Sequence, residues 1–276
     1  MKYLNLFLRV IVAIVICGEG LAKDNIWDTG YRKVVVEDTA HYKVIYVHIA
    51  NDRVLNQREV KYEMLSIGDK IITYGGHGTY QIDSIYSTFT VLPSKEERRK
   101  IIRECEPIPQ SLTIDPEKGQ LEYYGYVFLN YYRYTEPIPQ IEWELTDDIE
   151  EIMGHECHKA TAKWRGREWN AWYSDIPVNA GPWKFQGLPG LILKVEDTAG
   201  DHSIYAIDSE NLKYPIGHSS HVYTKTTREK YNDTVRDHAK NAGKNLVKSG
   251  MVTFKSEEEK TRIAGRRIFH APIELE

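Results

Sequence analysis

The chain has 276 residues, a formal net charge of −4 and no extended basic run. This mildly acidic balance argues against a protein that binds nucleic acid through a basic surface. Nineteen tyrosines and six tryptophans favour β-strands and aromatic-lined surfaces. The length suffices for one sizeable core.

The first 22 residues have the pattern of a secretory signal peptide. Lys2 and Arg9 are followed by an apolar run over residues 10–17, and Ala22 is the expected cleavage position. The apolar run is too short to span a bilayer. Ile16 before Cys17 disfavours lipoprotein processing, which needs a small residue there. The sequence therefore predicts an exported chain with no transmembrane segment after cleavage, located in the periplasm, at the outer-membrane periphery or outside the cell.

In chain order, the first predicted elements are strands. Residues 41–50 alternate apolar and polar side chains, residues 61–76 form two strands around Gly68, and residues 79–92 continue the alternation. A short surface helix is predicted over 94–105, because Ser94 and Glu97 have the spacing of a capping box. The aromatic stretch over 120–136 then predicts two further strands.

The acidic stretch over 146–156 is typical of a solvated turn. Two hairpins follow, one around Arg165, Gly166 and Arg167 and one around residues 198–201. Thr226 with Glu229 and Ser256 with Glu259 predict the starts of two C-terminal helices, which end at Gly250 and Gly265.

We therefore predict a mainly β fold with added helices, an α+β class built on a curved antiparallel meander. Its succession of hairpins is similar to the open half-barrel of lipoprotein-carrier-type periplasmic proteins. The sequence contains no low-complexity linker after residue 22, so residues 23–276 are predicted to form a single domain with C-terminal helices.

Common catalytic signatures are missing, including Gly-x-Ser-x-Gly, Ser-x-x-Lys and the HExxH zinc helix. This argues against an enzyme, and no cofactor is predicted. His155 and Cys157 are weak metal candidates, because they project from one face of a strand and a third ligand would have to come from elsewhere. A strand with a small buried cysteine is the favoured interpretation. Cys105 and Cys157 either form a disulfide in an oxidising compartment or remain separate thiols, and both alternatives stay open.

The region from 164 to 183 contains the candidate binding residues. Arg165 and Arg167 flank a hairpin tip and could hold an anionic group in bidentate fashion. The alternative is an arginine exposed to water or stacked on Trp164 or Trp169. Trp164, Trp169, Trp172 and Trp183 form either a binding face or the densest part of the core.

The block from Cys157 to Asp197 resembles the signature of the GLPGLI family of secreted or envelope proteins of outer-membrane bacteria. The matching residues are Cys157, Lys159 to Thr161, Gly166-Arg167, Ala171 to Tyr173, Ile176-Pro177, Gly181-Pro182, Lys184-Phe185 and Gly187 to Ile192. The closing residues APIELE are also similar to the ending of that family. The resemblance implies one family unit behind a signal peptide and implies no reaction.

Three functional hypotheses follow from the sequence. The first is a non-enzymatic exported protein that binds an apolar or amphipathic, lipid-like ligand or an envelope protein. The second is a metal- or carboxylate-dependent hydrolase of envelope polymers. The third is a structural accessory to an outer-membrane complex.

Overall fold

The computed structural model describes residues 34–91 and 93–276, so the predicted signal peptide lies outside the described residues. One sheet of twelve strands and four helices make up this part of the chain. The strands are β1 (Val34–Asp52), β2 (Gln57–Gly68), β3 (Ile72–Gly76), β4 (Ser111–Asp115), β5 (Gln120–Val127), β6 (Asn130–Pro137), β7 (Glu144–Ile152), β8 (His155–Trp164), β9 (Arg167–Tyr173), β10 (Ile192–Asp197), β11 (His202–Ser219) and β12 (Thr224–Lys225). The helices are α1 (His77–Ser87), α2 (Lys95–Cys105), α3 (Arg228–Ser249) and α4 (Glu257–Ala264).

The sheet consists of two meanders joined at their longest strands. Its order is β12-β6-β5-β4-β3-β2-β1-β11-β10-β9-β8-β7. Each pair of neighbours is antiparallel except β12 and β6. The sheet is open, with β12 and β7 at its edges. This confirms the predicted fold class, a mainly β architecture with added helices.

The helix starts follow the capping chemistry of the sequence. Ser94 and Glu97 make the predicted capping box at α2, and the Ser256 side chain accepts a hydrogen bond from the Glu259 backbone N–H at α4. Helix α3 begins one residue later than expected, because Thr227 is its N-cap. It ends at Gly250, whose φ of +69° suits glycine.

Two predicted elements are wrong. Residues 79–92 were expected to continue the sheet, but α1 occupies 77–87, and it buries Ile82 and Tyr86, which are four positions apart. That spacing fits one face of a helix. The acidic stretch over 146–156 is a turn only at residues 153–154, because residues 146–152 belong to β7, which pairs with β8 as the edge strand. An edge strand tolerates charged side chains, which also discourage further pairing.

The core is shared by both meanders. Leu112 and Leu121 from the first meander and Ala160 and Trp169 from the second belong to one buried cluster. Phe185 in the long β9–β10 loop joins them and is 1% exposed. The sheet halves therefore pack on the loop over 174–191, which is part of the hydrophobic core.

The β9–β10 loop is held by backbone contacts that require glycine. A Cβ on Gly190 would lie 1.8 Å from the Ser174 carbonyl oxygen, and one on Gly181 would lie 2.8 Å from the Phe185 carbonyl oxygen. Ser174 N–H donates to the Leu191 carbonyl at 2.9 Å. The Gly-Leu-Pro-Gly sequence is thus a packing corner that buries Leu188 and Gly190 and exposes Gly187 and Pro189.

Candidate functional site

A pocket of about 90 Å³ lies against strands β2, β3 and β4. Helix α1 contributes Thr79, Tyr80 and Asp83 to its wall. The remaining lining residues mix apolar and polar side chains: Val34, Met64, Ser66, Thr73, Tyr74, Gly75, Gly76, Ile108, Gln110, Ser111, Tyr214, Pro215, Ile216, Gly217, His218 and Ser219. This composition suits a ligand with an apolar part and a polar group.

One wall of the pocket is an extension of the two longest strands. Residues 34–40 of β1 pair with residues 214–219 of β11, whereas β2 starts to pair with β1 only at Ala40. We call this two-stranded extension the β1–β11 ribbon. A Cβ on Gly217 would lie 2.0 Å from the Val35 carbonyl oxygen, so the close approach of the two strands requires glycine there.

The ribbon is fastened to the rest of the molecule by polar contacts. The His218 ring stacks on Tyr124 of β5, with centroids 5.1 Å apart, and its Nδ1 lies 2.7 Å from the Glu37 carboxylate. Asp38 accepts backbone hydrogen bonds from Lys70, Thr39 and Ile71. Burial acts to raise the pKa of Asp38, but these hydrogen bonds outweigh it and lower the pKa.

Ser219 is the polar group of the pocket wall that lacks a partner. It is 6% exposed, and its buried hydroxyl has no hydrogen-bond partner in the described structure. A buried hydroxyl without a partner costs about 1–3 kcal/mol. A ligand or water that donated to or accepted from this oxygen would recover that cost.

Aromatic rings line the α1 side of the pocket. Tyr80 and Tyr214 meet edge to face with centroids 4.7 Å apart, and the Tyr214 hydroxyl donates to Asp83 at 3.1 Å. The Lys43 ammonium lies 4.8 Å from the Tyr80 ring centroid and 2.7 Å from the Glu210 carboxylate. These contacts hold the rings in place, so the α1 wall is preorganised for packing against apolar groups.

The four tryptophans of the sequence prediction lie in and around the core. Trp169 is 1% and Trp172 is 7% exposed, and Trp164 and Trp183 pack against the same cluster. The Trp172 ring is covered by two ammonium groups, with Lys194 Nζ at 4.0 Å and Lys159 Nζ at 5.7 Å from its centroid. Internal contacts account for these side chains without a ligand, and their role in binding stays a prediction.

Arg167 is held by the chain itself. Its guanidinium donates to Asp197 at 2.6 Å and to Asp201 at 2.9 Å, and also to the carbonyl oxygens of Pro272 and Ile273 at 2.8 and 2.9 Å. The two carboxylates fix the guanidinium, which donates to two consecutive carbonyl groups of residues 270–276. We call these residues the C-terminal segment. The anionic partners in the structure are therefore side chains of this chain.

Arg165 belongs to a second charged group, the Lys184 cluster, formed by Lys184, Glu136, Glu274, Arg165 and Arg228. The Lys184 ammonium is fully buried and lies 2.6 Å from Glu136 and 2.7 Å from Glu274. Arg165 donates to Glu136 at 3.1 Å, and Arg228 donates to Glu274 at 3.1 Å. Three cations thus share these two carboxylates, and Arg228 also pairs with the exposed Glu229 carboxylate at 3.1 Å.

The Lys184 cluster connects distant elements of the fold. Glu136 lies on β6, Arg165 in the β8–β9 turn, Lys184 in the β9–β10 loop and Arg228 at the start of α3. Trp183 Nε1 also donates to Glu274 at 3.1 Å, and the Arg165 guanidinium lies 5.7 Å from the Trp164 ring. The stacked arginine considered from the sequence is therefore present. Sequence reasoning did not assign Lys184 to a site, and its signals were its place between Trp183 and Phe185 and in the block that resembles the GLPGLI signature.

Cys105 and Cys157 are separate free thiols in the structure. Burial raises the pKa of the Cys157 thiol to about 11, and burial also raises the pKa of Cys105. Both sulfurs are thus protonated and weakly nucleophilic at neutral pH.

The weak metal candidate His155 lies 3.5 Å from the Asp175 carboxylate. Among the described residues, no group of three or more His, Cys, Asp or Glu side chains could hold a metal ion.

The chain is similar to known proteins in a limited way. The model of a family of unknown function, Porph_ging, matches residues 164–194, which cover β9 and the β9–β10 loop. No curated protein matches this chain. No helix in the described parts of the chain is long and apolar enough to cross a membrane.

Two crystal structures of PNGF-II, in space groups C2 and P21, share the fold. Each superposes with a TM-score of 0.50, at 13% and 15% sequence identity, and covers 74% of this chain and 34% of that chain. The chain therefore spans about a third of the length of PNGF-II. At this identity the likeness concerns the fold alone.

Proposed function

We propose that this protein is an exported, non-enzymatic binding protein of the cell envelope, and that it is of the GLPGLI type. The Porph_ging match to residues 164–194 supports an uncharacterised family of this kind, because it falls on the block that carries the GLPGLI resemblance. Export rests on the signal-peptide pattern of residues 1–22. Edman sequencing of the protein from its own host is expected to start at Lys23, and a start at Met1 would contradict export.

The bound molecule enters the pocket between α1 and the β1–β11 ribbon. The observation that carries this proposal is the buried Ser219 hydroxyl without a partner in the wall of that pocket. A polar group of the ligand hydrogen-bonds to Ser219, and an apolar part packs against Met64, Ile108 and Tyr80. The volume of about 90 Å³ accommodates one end of an amphipathic molecule, while the rest remains outside.

Native mass spectrometry of protein purified from its own host tests the proposal. The wild-type protein is expected to carry an adduct of reproducible mass, which Ser219→Leu removes by filling the pocket. Ser87→Leu is the matched control, since Ser87 is an exposed residue of α1 that does not line the pocket, and the adduct is expected to persist there. A wild-type spectrum without an adduct, or an adduct that survives Ser219→Leu in a folded protein, contradicts the proposal. Co-purification of an envelope protein with an empty pocket would instead favour an accessory role in an outer-membrane complex.

A further inference from the structure

A series of hydrogen bonds runs from β3 through two buried histidines to the C-terminal segment. The Tyr74 hydroxyl donates to Glu63 Oε2 at 2.6 Å, and His48 Nδ1 lies 3.0 Å from the same oxygen. His48 Nε2 lies 3.1 Å from His202 Nδ1, and His202 Nε2 lies 3.1 Å from the Pro272 carbonyl oxygen. His48 and His202 are 5% and 1% exposed, so the bond between the two rings is shielded from water.

The donors and acceptors of this series fix the positions of its protons. The Pro272 carbonyl can only accept, so His202 Nε2 carries a hydrogen and donates it. The pKa of His202 is lowered to about 3, first by burial and then by the charges of His48 and Arg167, so His202 is neutral and its Nδ1 accepts. His48 Nε2 must therefore donate to His202. This uses the one hydrogen that a neutral His48 would carry.

The remaining contact, between His48 Nδ1 and Glu63, then needs one more proton. Burial acts to raise the pKa of Glu63, but the attraction to His48 and the hydrogen bonds from His48 and Tyr74 outweigh it and lower the pKa. The Tyr74 hydroxyl donates to the same Glu63 Oε2 at 2.6 Å, which favours an accepting carboxylate oxygen, and imidazole is a stronger base than a carboxylate. The extra proton therefore resides on His48 Nδ1. The other charged and titratable groups nearby are Lys61 on β2, Tyr74 on β3, Arg167 on β9, and Asp197 and Asp201, which neutralise Arg167.

We infer that the His48–His202 pair is a buried proton-binding site, which holds a single excess proton as a His48 imidazolium paired with Glu63 and thereby fastens the C-terminal segment at Pro272. The inference does not depend on the ligand pocket. Loss of the proton leaves His48 with one hydrogen for two contacts that each need one. The Glu63 carboxylate is the stronger acceptor, so the hydrogen stays on Nδ1, and His48 Nε2 and His202 Nδ1 then face each other as two acceptors at 3.1 Å. Gain of a second proton sets two N–H groups against each other at a distance of 3.1 Å. In either case the His202 ring moves and its hydrogen bond to Pro272 weakens.

The substitution Glu63→Gln tests the proton count. An amide nitrogen in the place of Oε2 donates one hydrogen to His48 Nδ1 and the other to the Tyr74 oxygen, so the series is satisfied with a neutral His48. Imidazole ¹⁵N spectra at pH 7 are therefore expected to show both nitrogens of His48 protonated in the wild type. In Glu63→Gln, His48 Nδ1 is expected to be unprotonated. Glu59→Gln on the same strand is the control, because Glu59 pairs with Lys61 and makes none of the hydrogen bonds that link Tyr74 to Pro272. The spectrum of this variant should match that of the wild type.

The wild-type spectrum decides the inference even if Glu63→Gln fails to fold. A neutral His48 in the wild type at pH 7 would overturn it, as would a folded Glu63→Gln protein in which both His48 nitrogens stay protonated.

The link to the C-terminal segment is tested by hydrogen exchange at the Leu275 amide, which donates to the Arg165 carbonyl at 2.9 Å. Losing one buried hydrogen bond corresponds to about a tenfold change in the opening equilibrium. The protection factor of this amide in the wild type is expected to fall about tenfold once the ¹⁵N spectra show that His48 has lost its proton on raising the pH. In Glu63→Gln the protection factor of the Leu275 amide should stay constant over the same pH range. Equal pH dependence in the two proteins would refute the fastening role.

Discussion

The Lys184 cluster leads to a specific prediction about charge balance. Three cations, Lys184, Arg165 and Arg228, share Glu136 and Glu274. In Glu274→Gln, Arg165 and the fully buried Lys184 are left with Glu136 as their carboxylate in the cluster, while Arg228 keeps Glu136 and the exposed Glu229. An uncompensated buried charge costs about 3–5 kcal/mol, so we expect the free energy of unfolding to fall by about 4 kcal/mol.

Lys184→Met leaves two cations and two carboxylates, and each carboxylate keeps a cationic donor. Only the hydrogen bonds of the ammonium are lost, and the Met side chain still packs beside Tyr134 and Trp183, whose rings lie 5.3 and 5.2 Å from Nζ. We therefore expect a smaller loss of about 2 kcal/mol. The double variant should be more stable than Glu274→Gln alone, because removing the ammonium relieves the excess positive charge.

Urea unfolding followed by tryptophan fluorescence measures these differences. The expected loss of about 4 kcal/mol in Glu274→Gln corresponds to a decrease in Tm of roughly 8–16 °C for a domain of this size. Lys163→Met is the control, since Lys163 and its partner Glu168 are exposed and such pairs contribute about 0–1 kcal/mol. The reasoning is refuted if Lys184→Met costs more than Glu274→Gln, or if the two effects simply add.

Three further predictions concern pH, packing and thiol chemistry. The folded pKa of His202, about 3, lies below its usual 6.5, so its contribution to stability is present above pH 6.5 and is lost as the pH falls towards 3. Between pH 7 and pH 5 the loss is about 2 kcal/mol, and unfolding curves of His202→Gln should lack this part of the pH dependence. Gly190→Ala should destabilise the protein by more than about 3 kcal/mol, because its Cβ would lie 1.8 Å from the Ser174 oxygen; Gly265→Ala, with no neighbouring atom nearer than 3.7 Å, should not. Alkylation of Cys157 at pH 8 should be slow in the native protein and fast in urea, and equal rates would contradict its burial.

Local patterns were enough to predict much of the sheet and the helix ends. The hairpin around Gly166 forms because Arg165 and Gly166 take φ values of +51° and +77°, and its strands alternate clearly in the sequence. Ser94 and Ser256 cap helices through hydrogen bonds to residues three positions later, so their signal is contained in a short stretch. Short-range interactions decide these elements, and a single sequence contains that information.

The errors and omissions arise where contacts between distant residues decide the outcome. The apolar residues of 79–92 fit both the two-residue period of a strand and the 3.6-residue period of a helix. The packing of α1 against α2, where Gly78 approaches the Cys105 carbonyl, selects the helix over 77–87. The pocket depends on the pairing of residues 34–40 with 214–219, about 180 positions apart. Glu136 and Glu274 meet at Lys184 although no local pattern relates them. A single sequence does not specify such partners.

The position of the family match also bears on where function should be sought. The matched residues 164–194 contain Arg167, which holds the C-terminal segment, and Lys184 and Gly190, which hold the β9–β10 loop in the core. Each has a structural reason to be present that requires no ligand. A match confined to this block therefore describes how the β9–β10 loop and the C-terminal segment pack against the two meanders. The β1–β11 ribbon and α1 lie outside the block. Under the proposed function, differences in ligand among proteins that share the block should map to the ribbon and α1, where substitutions change the pocket and leave the packing of the β9–β10 loop intact.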